Sequence, residues 1–331
     1  MPKWPLQLRA SELASLTGRA FFAKPRDIEL GILQRHGYLT KDVIQHTEIK
    51  RRRLDVVGRV AKVAEVNVKD LAATASKGDE AIDKLPTPRE ATTIIEQLRT
   101  ASKTKALTAH HVSTHAIAAA NQATLEAAQV KASSVLVPNR IERVQAVHAA
   151  KAAEEHAVAM TAKAKVAATV AVEACKEAEQ EWPSPTEVVA DLKSQTSCYH
   201  GIAKESEDLY QFDAVDDMGG MMQLHRTTSE GTPYIIAGKI DGRKTNPDGS
   251  ETIVECKRRM KRHMNRVPTY EMPQLQAYMA MTDTLHAVQL ETYDGVQKVH
   301  EVEFDDVYWN ELMNQVDGAV DRLVKEIESV L

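Results

Sequence analysis

A seam of small residues between Glu142 and Gln180 constrains the fold of this chain more than any other feature. Apolar residues recur there in alternating steps of four and three, at positions 146, 150, 153, 157, 160, 164, 167, 171, 174 and 178, and all are alanine except Met160. Steps of this kind define a heptad repeat, in which one stripe of a helix packs against another helix. Because alanine lets two helix backbones approach closely, the seam predicts a long helix with a close helical partner.

A second seam of the same kind supplies that partner. Its positions are Ala116, Ala120, Ala123, Ala127 and Val130. The stretch SSVLVPNR (Ser133 to Arg140) separates the two seams with a Pro-Asn break, which is typical of a turn. We therefore predict an antiparallel helical hairpin, with more helix around Glu65 to Ile82 and Pro88 to Ser102. Together these form a long alanine-rich insertion over residues 61–190, typical of a spacer or an oligomerisation arm.

Charge and composition limit the classes of function. The 331 residues carry a net charge of −5, so any nucleic-acid site has to be a local basic patch. The three cysteines are scattered and match neither a disulfide framework nor a zinc motif. No run of about 18 apolar residues is present, which predicts no membrane span, and the N-terminus lacks the apolar core of a secretory signal. We therefore expect an intracellular protein.

The rest of the chain predicts an α+β domain. Residues 1–60 are mixed in composition, with one helix at Arg9 to Gly18 that Ser11 could cap and a second at Ile28 to His36. Residues 191–331 read as helix, three strands, helix, two strands, helix. The predicted elements of this part are strands at Met221 to Thr227, Pro233 to Gly242 and Thr252 to Arg259, a helix at Met272 to Thr282, a hairpin turn at Asp294-Gly295 and a last helix from Asp306. The first three strands form a meander in this interpretation.

Three residues of the meander form a candidate catalytic group. The turn at Thr245 to Glu251 brings Asp241 beside the third strand. Glu255 and Lys257 are two positions apart on that strand and therefore share a face, while Cys256 points the other way. Two carboxylates and a backbone carbonyl make an oxygen-lined site suited to Mg²⁺ or Mn²⁺. A lysine beside such a metal could orient a water molecule and steady the charge that develops on a phosphate.

Two further motifs and an N-terminal segment lie around this group. Gly201-x-x-x-Glu205 precedes the strands on a helix, Gln274-x-x-x-Tyr278 follows them on a helix, and the N-terminal ASE (Ala10 to Glu12) starts a helix. With the Asp and the Glu-x-Lys pair, they resemble the PD-(D/E)XK nuclease superfamily, in its RecB-like and lambda-exonuclease-like branch of viral or phage exonucleases (YqaJ-type). The resemblance covers residues 195–305 well and residues 8–40 weakly. The alanine-rich insertion has no counterpart in it.

The resemblance implies a fold and roles for these residues. It implies a restriction-endonuclease-like core, a mixed sheet flanked by helices. It implies that Glu205, Asp241, Glu255 and the Cys256 carbonyl bind Mg²⁺ or Mn²⁺, and that the catalytic residues are Glu205, Asp241, Glu255 and Lys257. Gly201, Gln274 and Tyr278 support the motifs, and Ser11 would meet a 5′-phosphate of DNA. Two departures are Ile240-Asp241 in place of Pro-Asp, and the lack of the arginine that normally precedes the serine, where only Lys3 and Arg9 are close.

Two of these assignments have rivals in the sequence. Glu207 and Asp208 are adjacent on the same helix as Glu205; we prefer Glu205 because Gly201, one turn earlier, would let the helix approach the sheet closely. Cys256 could be read as a nucleophile, but its position on the opposite face from Glu255 favours a buried strand cysteine.

A basic run, KRRMKRHMNR (Lys257 to Arg266), leaves the third strand of the meander. We predict that it contacts the phosphate backbone of DNA, since Lys and Arg release counterions when they meet phosphates. The predicted contacts are Arg258, Arg259, Lys261, Arg262 and Arg266. A solvated loop and a nuclear-import signal are the alternatives, and Lys50 to Arg53 forms a second, equally ambiguous cluster.

These features predict a metal-dependent deoxyribonuclease, an exonuclease of viral or phage-type DNA recombination and repair. Its expected partners are DNA, a single-strand-annealing or other recombination protein, and a second copy bound through the helical region. A viral protein of this kind would act in the host cytoplasm or nucleus. The alternative is a catalytically weak or inactive nucleic-acid-binding or assembly protein that interacts through the helical arm. RNA as the substrate also stays open.

Overall fold

The computed structural model describes residues 5–20, 23–75, 78–136, 139–216 and 220–329. Lys3, and Pro138 of the predicted hairpin break, lie outside the described residues. The helices are α1 (Leu13–Leu16), α2 (Pro25–Arg35), α3 (Lys41–Val63), α4 (Val68–Thr74), α5 (Gly78–Asp83), α6 (Pro88–Val135), α7 (Arg140–Glu179), α8 (Pro185–Gln211), α9 (Met272–Thr282) and α10 (Asp306–Glu328). The strands are β1 (Leu6–Arg9), β2 (Val215–Asp216), β3 (Met222–Thr227), β4 (Pro233–Gly238), β5 (Gly242–Thr245), β6 (Glu251–Arg258), β7 (His286–Tyr293) and β8 (Val296–Glu303).

The strands form two sheets flanked by helices, which gives the α+β class. The first sheet has the order β1-β4-β3, with β1 parallel and β3 antiparallel to β4. The second has the order β2-β5-β6-β7-β8, and in it only β6 and β7 are parallel. Parallel neighbours need a crossover connection, and α9 supplies it between β6 and β7. Both sheets are therefore mixed.

Turn chemistry explains the two antiparallel pairs around the centre of the second sheet. Gly249, between β5 and β6, has a φ of +84° that suits glycine. Asp294 and Gly295, between β7 and β8, have φ values of 52° and 72°, as a two-residue hairpin turn requires. Both turns were predicted from sequence, and the structure confirms them.

The main core lies under α10. The buried residues of α10 recur at steps of three and four, which places one apolar stripe of the helix against the sheets. This stripe includes Leu312, Val316, Val320 and Leu323. The facing residues include Leu8, Tyr234, Ile236, Ile253 and Leu275 from the strands and α9. The core therefore joins the N-terminal strand, both sheets and the last helix.

Two features near the strands differ from the sequence predictions. Most of the predicted helix at Arg9 to Gly18 is present, as a 3₁₀ turn at Ala10–Glu12 followed by the short α1, but Ser11 does not cap it, and the preceding strand β1 was missed. The predicted meander is divided between two sheets. Its second strand breaks after Gly238, so that β4 belongs to the first sheet and β5 to the second. Asp241 lies in the link between them.

The chain separates into two compact units. One comprises residues 1–87 and 186–331, and the other is Pro88–Pro185. The sequence-based boundaries at residues 61 and 190 differ from these because the C-terminal end of α3, α4 and α5, although partly alanine-rich, belong to the first unit.

The second unit is the predicted antiparallel hairpin of α6 and α7. Each of the ten seam positions on α7 is buried or half-buried, whereas Glu154, Glu155 and Lys163 on its other faces are exposed. Ala157 packs against Ala123 and Ala127 of the second seam. Asn139 accepts a hydrogen bond from the Ile141 amide and so caps the start of α7. The alanine seams therefore pair with each other within one chain.

The close contact at Ala157 supports a packing prediction. We expect Ala157→Leu to destabilise the hairpin by about 1–3 kcal/mol, because the added atoms have no space between the two helices. Ala152→Leu, on an exposed face of α7, is the matched control and should have little effect. Far-UV circular dichroism during urea unfolding measures both. Equal midpoints for the two variants would contradict the close packing.

Candidate active site

The predicted catalytic group is assembled where β5 begins and β6 ends. Asp241 immediately precedes β5, whose Gly242 pairs with Val254 of β6. The Cys256 amide donates a hydrogen bond to Asp241 Oδ2 at 2.8 Å. On β6, Lys257 Nζ donates to Glu255 Oε1 at 2.6 Å. The alternation of a strand therefore brings Glu255 and Lys257 together as predicted, and Asp241 joins them from the link between the sheets.

Glu255 has one satisfied and one unsatisfied carboxylate oxygen. The residue is only 3% exposed. Its Oε1 accepts hydrogen bonds from Lys257 and, at 3.0 Å, from Gln274 Nε2. Gln274 also donates to the Tyr278 hydroxyl at 2.8 Å, so the Gln-x-x-x-Tyr motif of α9 contacts the site directly. Glu255 Oε2 is buried and accepts no hydrogen bond from an N–H or hydroxyl donor of the described residues, although the Asp241 carboxyl is close enough to share a proton with Glu255. A buried carboxylate oxygen without a partner is costly, and a cation would satisfy it.

The acids of the site raise one another's pKa values. Burial raises the pKa of Glu255, and the nearby Asp241 raises it further. Burial also raises the pKa of Asp241, and Glu205 adds to this. For Lys257, burial favours a lower pKa, but the carboxylates of Glu255 and Asp241 raise it overall. The site thus gathers more negative charge than its one lysine offsets.

Among the candidate acids of α8, the pKa of Glu205 responds to the charge of this group. Burial raises the pKa of Glu205, and the charge of Glu255 is the next largest cause. Glu207 is exposed. Asp208 is buried and accepts two hydrogen bonds from Arg258, both at 2.7 Å. The structure therefore places Glu205 within electrostatic range of Glu255, and Asp208 in an ion pair with Arg258.

The predicted role of Gly201, on which the preference for Glu205 was based, was nevertheless wrong. A Cβ added at Gly201 would meet nothing within 4 Å, so Gly201 does not bring α8 close to the sheet. The close approach is at Gly242 instead, where an added Cβ would lie 2.5 Å from Leu209 Cδ2. The glycine that α8 requires is therefore on the strand side of the contact.

Two charged neighbours of Glu205 were missed from the sequence. The charge of Asp216 raises the pKa of Glu205, and the charge of Lys239 lowers it. Asp216 reaches this place because β2 pairs with β5, where it lies opposite Gly242. A two-residue strand leaves no periodic pattern in the sequence, and no spacing rule would have found Asp216.

The N-terminal turn that carries Ser11 lies beside the site. Arg9 of β1 pairs with Ala237 of β4, and Ala10 and Tyr278 both lie against Gly238, where a Cβ would be 2.5 Å from Tyr278 Cε1. Ser11 itself is exposed. Its neighbour Glu12 is held by Arg35 at 2.6 and 2.7 Å. Ser11 is thus one residue from the contact of Ala10 with Gly238.

The predicted DNA-contacting residues fall into two groups. Arg258 pairs with Asp208, and Arg259 pairs with Glu271 and Glu291, so both point inward and are not available to a phosphate. Lys261, Arg262 and Arg266 are exposed. They lie in the basic loop, which we define as residues 260–270 between β6 and α9. The sequence prediction for Arg258 and Arg259 is therefore corrected: their charges hold the protein together.

Cys256 is a strand cysteine, as predicted. Its side chain packs against the cluster of Leu209, Val254, Val288 and Leu290, on the face away from Glu255. Burial raises the pKa of its thiol, which disfavours the nucleophilic thiolate. Only its backbone, through the amide bound to Asp241, takes part in the site.

The donor set fits a hard divalent cation in its chemistry. Among residues 5–20, 23–75, 78–136, 139–216 and 220–329, no three His, Cys, Asp or Glu side chains form a group close enough to hold a metal ion. The fit therefore depends on Glu255 Oε2 and on the nearby Asp241 carboxylate, both oxygen donors of the kind that Mg²⁺ and Mn²⁺ prefer.

Comparison with known proteins adds little to this geometry. No protein-family model and no curated protein matches the chain. Among solved structures, the crystal structure of SSO0001 is 16% identical and has a TM-score of 0.29, and the match covers 44% of this chain. The chain spans 63% of the length of that structure. In the part of the chain that the structure describes, no helix is long and apolar enough to cross a membrane.

Proposed function

We propose that this chain is a metal-dependent deoxyribonuclease with a PD-(D/E)XK-like core, acting as an exonuclease in viral or phage-type DNA recombination and repair. One observation carries the proposal: Glu255, buried among Lys257, Gln274 and Asp241, keeps one carboxylate oxygen without a partner. A merely structural Glu-Lys pair on a strand would satisfy both oxygens or leave them in water. A site that awaits a cation leaves one of them free.

The proposed ligands of Mg²⁺ or Mn²⁺ are Asp241 and Glu255, together with Glu205 and the Cys256 carbonyl, which the resemblance implies. Glu205 would have to move closer to the other two carboxylates when the metal binds. When bound, the metal supplies a Lewis acid and lowers the pKa of a water molecule. The amide of Cys256 holds Asp241 in place, at 2.8 Å from Oδ2. Gln274 and Lys257 together hold Glu255 Oε1, and Oε2 would be the oxygen that binds the metal.

Lys257 and Ser11 have separate proposed roles toward the DNA. The Lys257 ammonium lies beside both carboxylates and carries the positive charge that a phosphate oxygen would meet. Ser11 is exposed and follows Ala10, which lies against Gly238, and its hydroxyl could donate a hydrogen bond to a terminal 5′-phosphate. Because a 5′-phosphate of this kind occurs only at the end of a DNA strand, this contact would favour cleavage from DNA ends, which is exonuclease action.

The test is digestion of end-labelled linear DNA and closed circular DNA, each with Mg²⁺, Mn²⁺ or EDTA. We expect release of labelled nucleotides from linear DNA with either metal, none with EDTA, and survival of the closed circle. Nicking of the circle would replace the exonuclease assignment with an endonuclease. A labelled RNA of the same sequence tests the substrate class. No cleavage of any substrate with either metal would overturn the proposal and favour the binding or assembly role.

The exposed basic loop supports a binding prediction. Replacing Lys261, Arg262 and Arg266 together by alanine should weaken DNA binding, and the slope of log affinity against log salt should become shallower by about 0.9 per lost phosphate contact. The control removes the same charge from exposed positions of the hairpin: Lys151, Lys163 and Lys165 to alanine. Fluorescence anisotropy in EDTA measures both variants without cleavage. An equal slope for the two variants would make the loop a bystander.

A further inference from the structure

A buried ion network holds both ends of the basic loop. At the N-terminal end, Arg259 donates to Glu271 at 2.8 and 2.7 Å and to Glu291 at 2.7 Å. The side chains of Arg259 and Glu271 are each 11% exposed, and that of Glu291 is fully buried. Since Glu271 immediately precedes α9, the same arginine fixes where the loop begins and where it ends.

The middle of the loop is bound to the same carboxylate. The Met264 amide donates to Glu291 Oε2 at 2.7 Å, and Lys298 of β8 donates to the Met264 carbonyl at 2.6 Å. His300 and His263 also face Glu291 Oε2, at 3.3 and 3.9 Å. One buried carboxylate on β7 therefore contacts the start and the middle of the loop.

Stability alone does not account for such a network. The free energy needed to remove several charges from water is about as large as the free energy gained from their mutual attraction. Well-packed apolar residues in the same place often stabilise a fold as much as buried ion pairs do. What the network does supply is a single geometry, since a planar guanidinium with two bidentate or near-bidentate partners has few alternative arrangements. The loop residues left outside it, Lys261, Arg262 and Arg266, are the exposed cations.

We propose that Glu291 is a positioning residue for DNA binding: by holding Arg259 and Met264 it keeps the basic loop in one conformation, which presents Lys261, Arg262 and Arg266 to the phosphate backbone as a preformed array. The inference rests on the proposed function, and deepens it by assigning the binding geometry to a residue that contacts no DNA. A preformed array binds more tightly than a mobile one because less side-chain and loop ordering opposes association.

The direction in which one substitution changes the DNA affinity distinguishes a positioning role from a purely electrostatic effect. Glu291→Gln keeps the shape of the side chain but makes the protein more positive by one charge near the loop. Electrostatic attraction alone would therefore strengthen DNA binding. Positioning instead predicts that affinity falls about tenfold, because the loop must be ordered on binding. Glu29→Gln is the matched control, since Glu29 is also buried, is paired with Arg26 and Arg322 and makes the same change of charge away from the loop.

Three measurements on the full chain decide the outcome: anisotropy with a labelled duplex in EDTA, KM and kcat for its cleavage, and amide hydrogen exchange over residues 260–270. We expect Glu291→Gln to raise Kd and KM about tenfold with kcat within about twofold, and to speed exchange in the loop, whereas Glu29→Gln changes none of these. Arg259→Lys keeps the charge, loses the fork to Glu271, and should act in the same direction.

Each contrary result has a distinct meaning. Unchanged exchange in the loop of Glu291→Gln overturns the anchoring itself, whether or not the protein binds DNA. Faster exchange with unchanged or tighter DNA binding overturns the positioning role while the proposed nuclease stands. A wild-type protein that binds no DNA overturns the proposed function and this role with it, and the exchange data then report only how the loop is held.

Discussion

Lys257→Ala and Glu255→Gln should each reduce the rate of DNA cleavage by about 10²–10³-fold while the fold is kept. Removing one charge-stabilising group from a catalytic site typically costs about 10²–10³-fold. Glu255→Gln has the larger expected effect, because it removes the negative charge that the unpartnered Oε2 would offer a metal ion while keeping the size of the side chain. Release of label from linear DNA with Mg²⁺ or Mn²⁺ measures the rate.

The control for this prediction lies on the same strand. Glu251 of β6 is exposed and pairs with Arg243 of β5, so Glu251→Gln should cleave at the wild-type rate. Titration calorimetry with Mn²⁺ separates the two roles: Glu255→Gln should lose metal binding, whereas Lys257→Ala should keep it. Near wild-type turnover in either folded variant would remove that residue from the catalytic group.

Local sequence patterns were sufficient to predict a structural feature that depends on a single helix, strand or turn. The heptad steps of the alanine seam predicted the stripe that packs in the hairpin, since a helix that buries one stripe leaves the other faces in water. The alternation of β6 predicted that Glu255 and Lys257 share a face and that Cys256 does not. The glycines of TNPDGSE and Asp294-Gly295 predicted two turns, and Gly249 and Gly295 have the positive φ that such turns need. In each case the residues of one segment were enough to make the prediction.

Local rules failed where a residue's environment is set by distant segments. The run Pro233 to Gly242 has the composition of one strand, but β1 pairs with its first half from more than 200 residues upstream, as in the pairing of Leu6 with Tyr234, and the chain then crosses to a second sheet. Nothing in the run itself marks the break. Strand β1 was missed for the same reason, because its partner β4 lies far away in the sequence.

The basic run shows the same limit for charge. Six Lys or Arg between Lys257 and Arg266 look alike in the sequence, yet Arg258 and Arg259 are bound by internal carboxylates and only the later ones are exposed. Which cation points inward depends on Asp208, Glu271 and Glu291, which come from α8, the start of α9 and β7. Asp208 was itself a rival of Glu205 as the metal-binding acid. Because Asp208 and Arg258 pair with each other, Asp208 is not available to a metal ion and Arg258 is not available to DNA.

That pair carries the largest expected effect on stability. Arg258→Ala should destabilise the protein by about 3–5 kcal/mol, because it leaves the carboxylate of Asp208, whose side chain is 1% exposed, buried without its partner. Domains are stable by only about 5–15 kcal/mol, so much of the chain could unfold at 37 °C.

The double variant Arg258→Met with Asp208→Leu should recover most of the loss, since it removes both charges. Arg243→Ala, in the exposed pair with Glu251, should cost less than about 1 kcal/mol. Urea unfolding followed by tryptophan fluorescence compares the three, and an Arg258→Ala midpoint equal to that of Arg243→Ala would mean that Asp208 finds water or another donor when its arginine is gone.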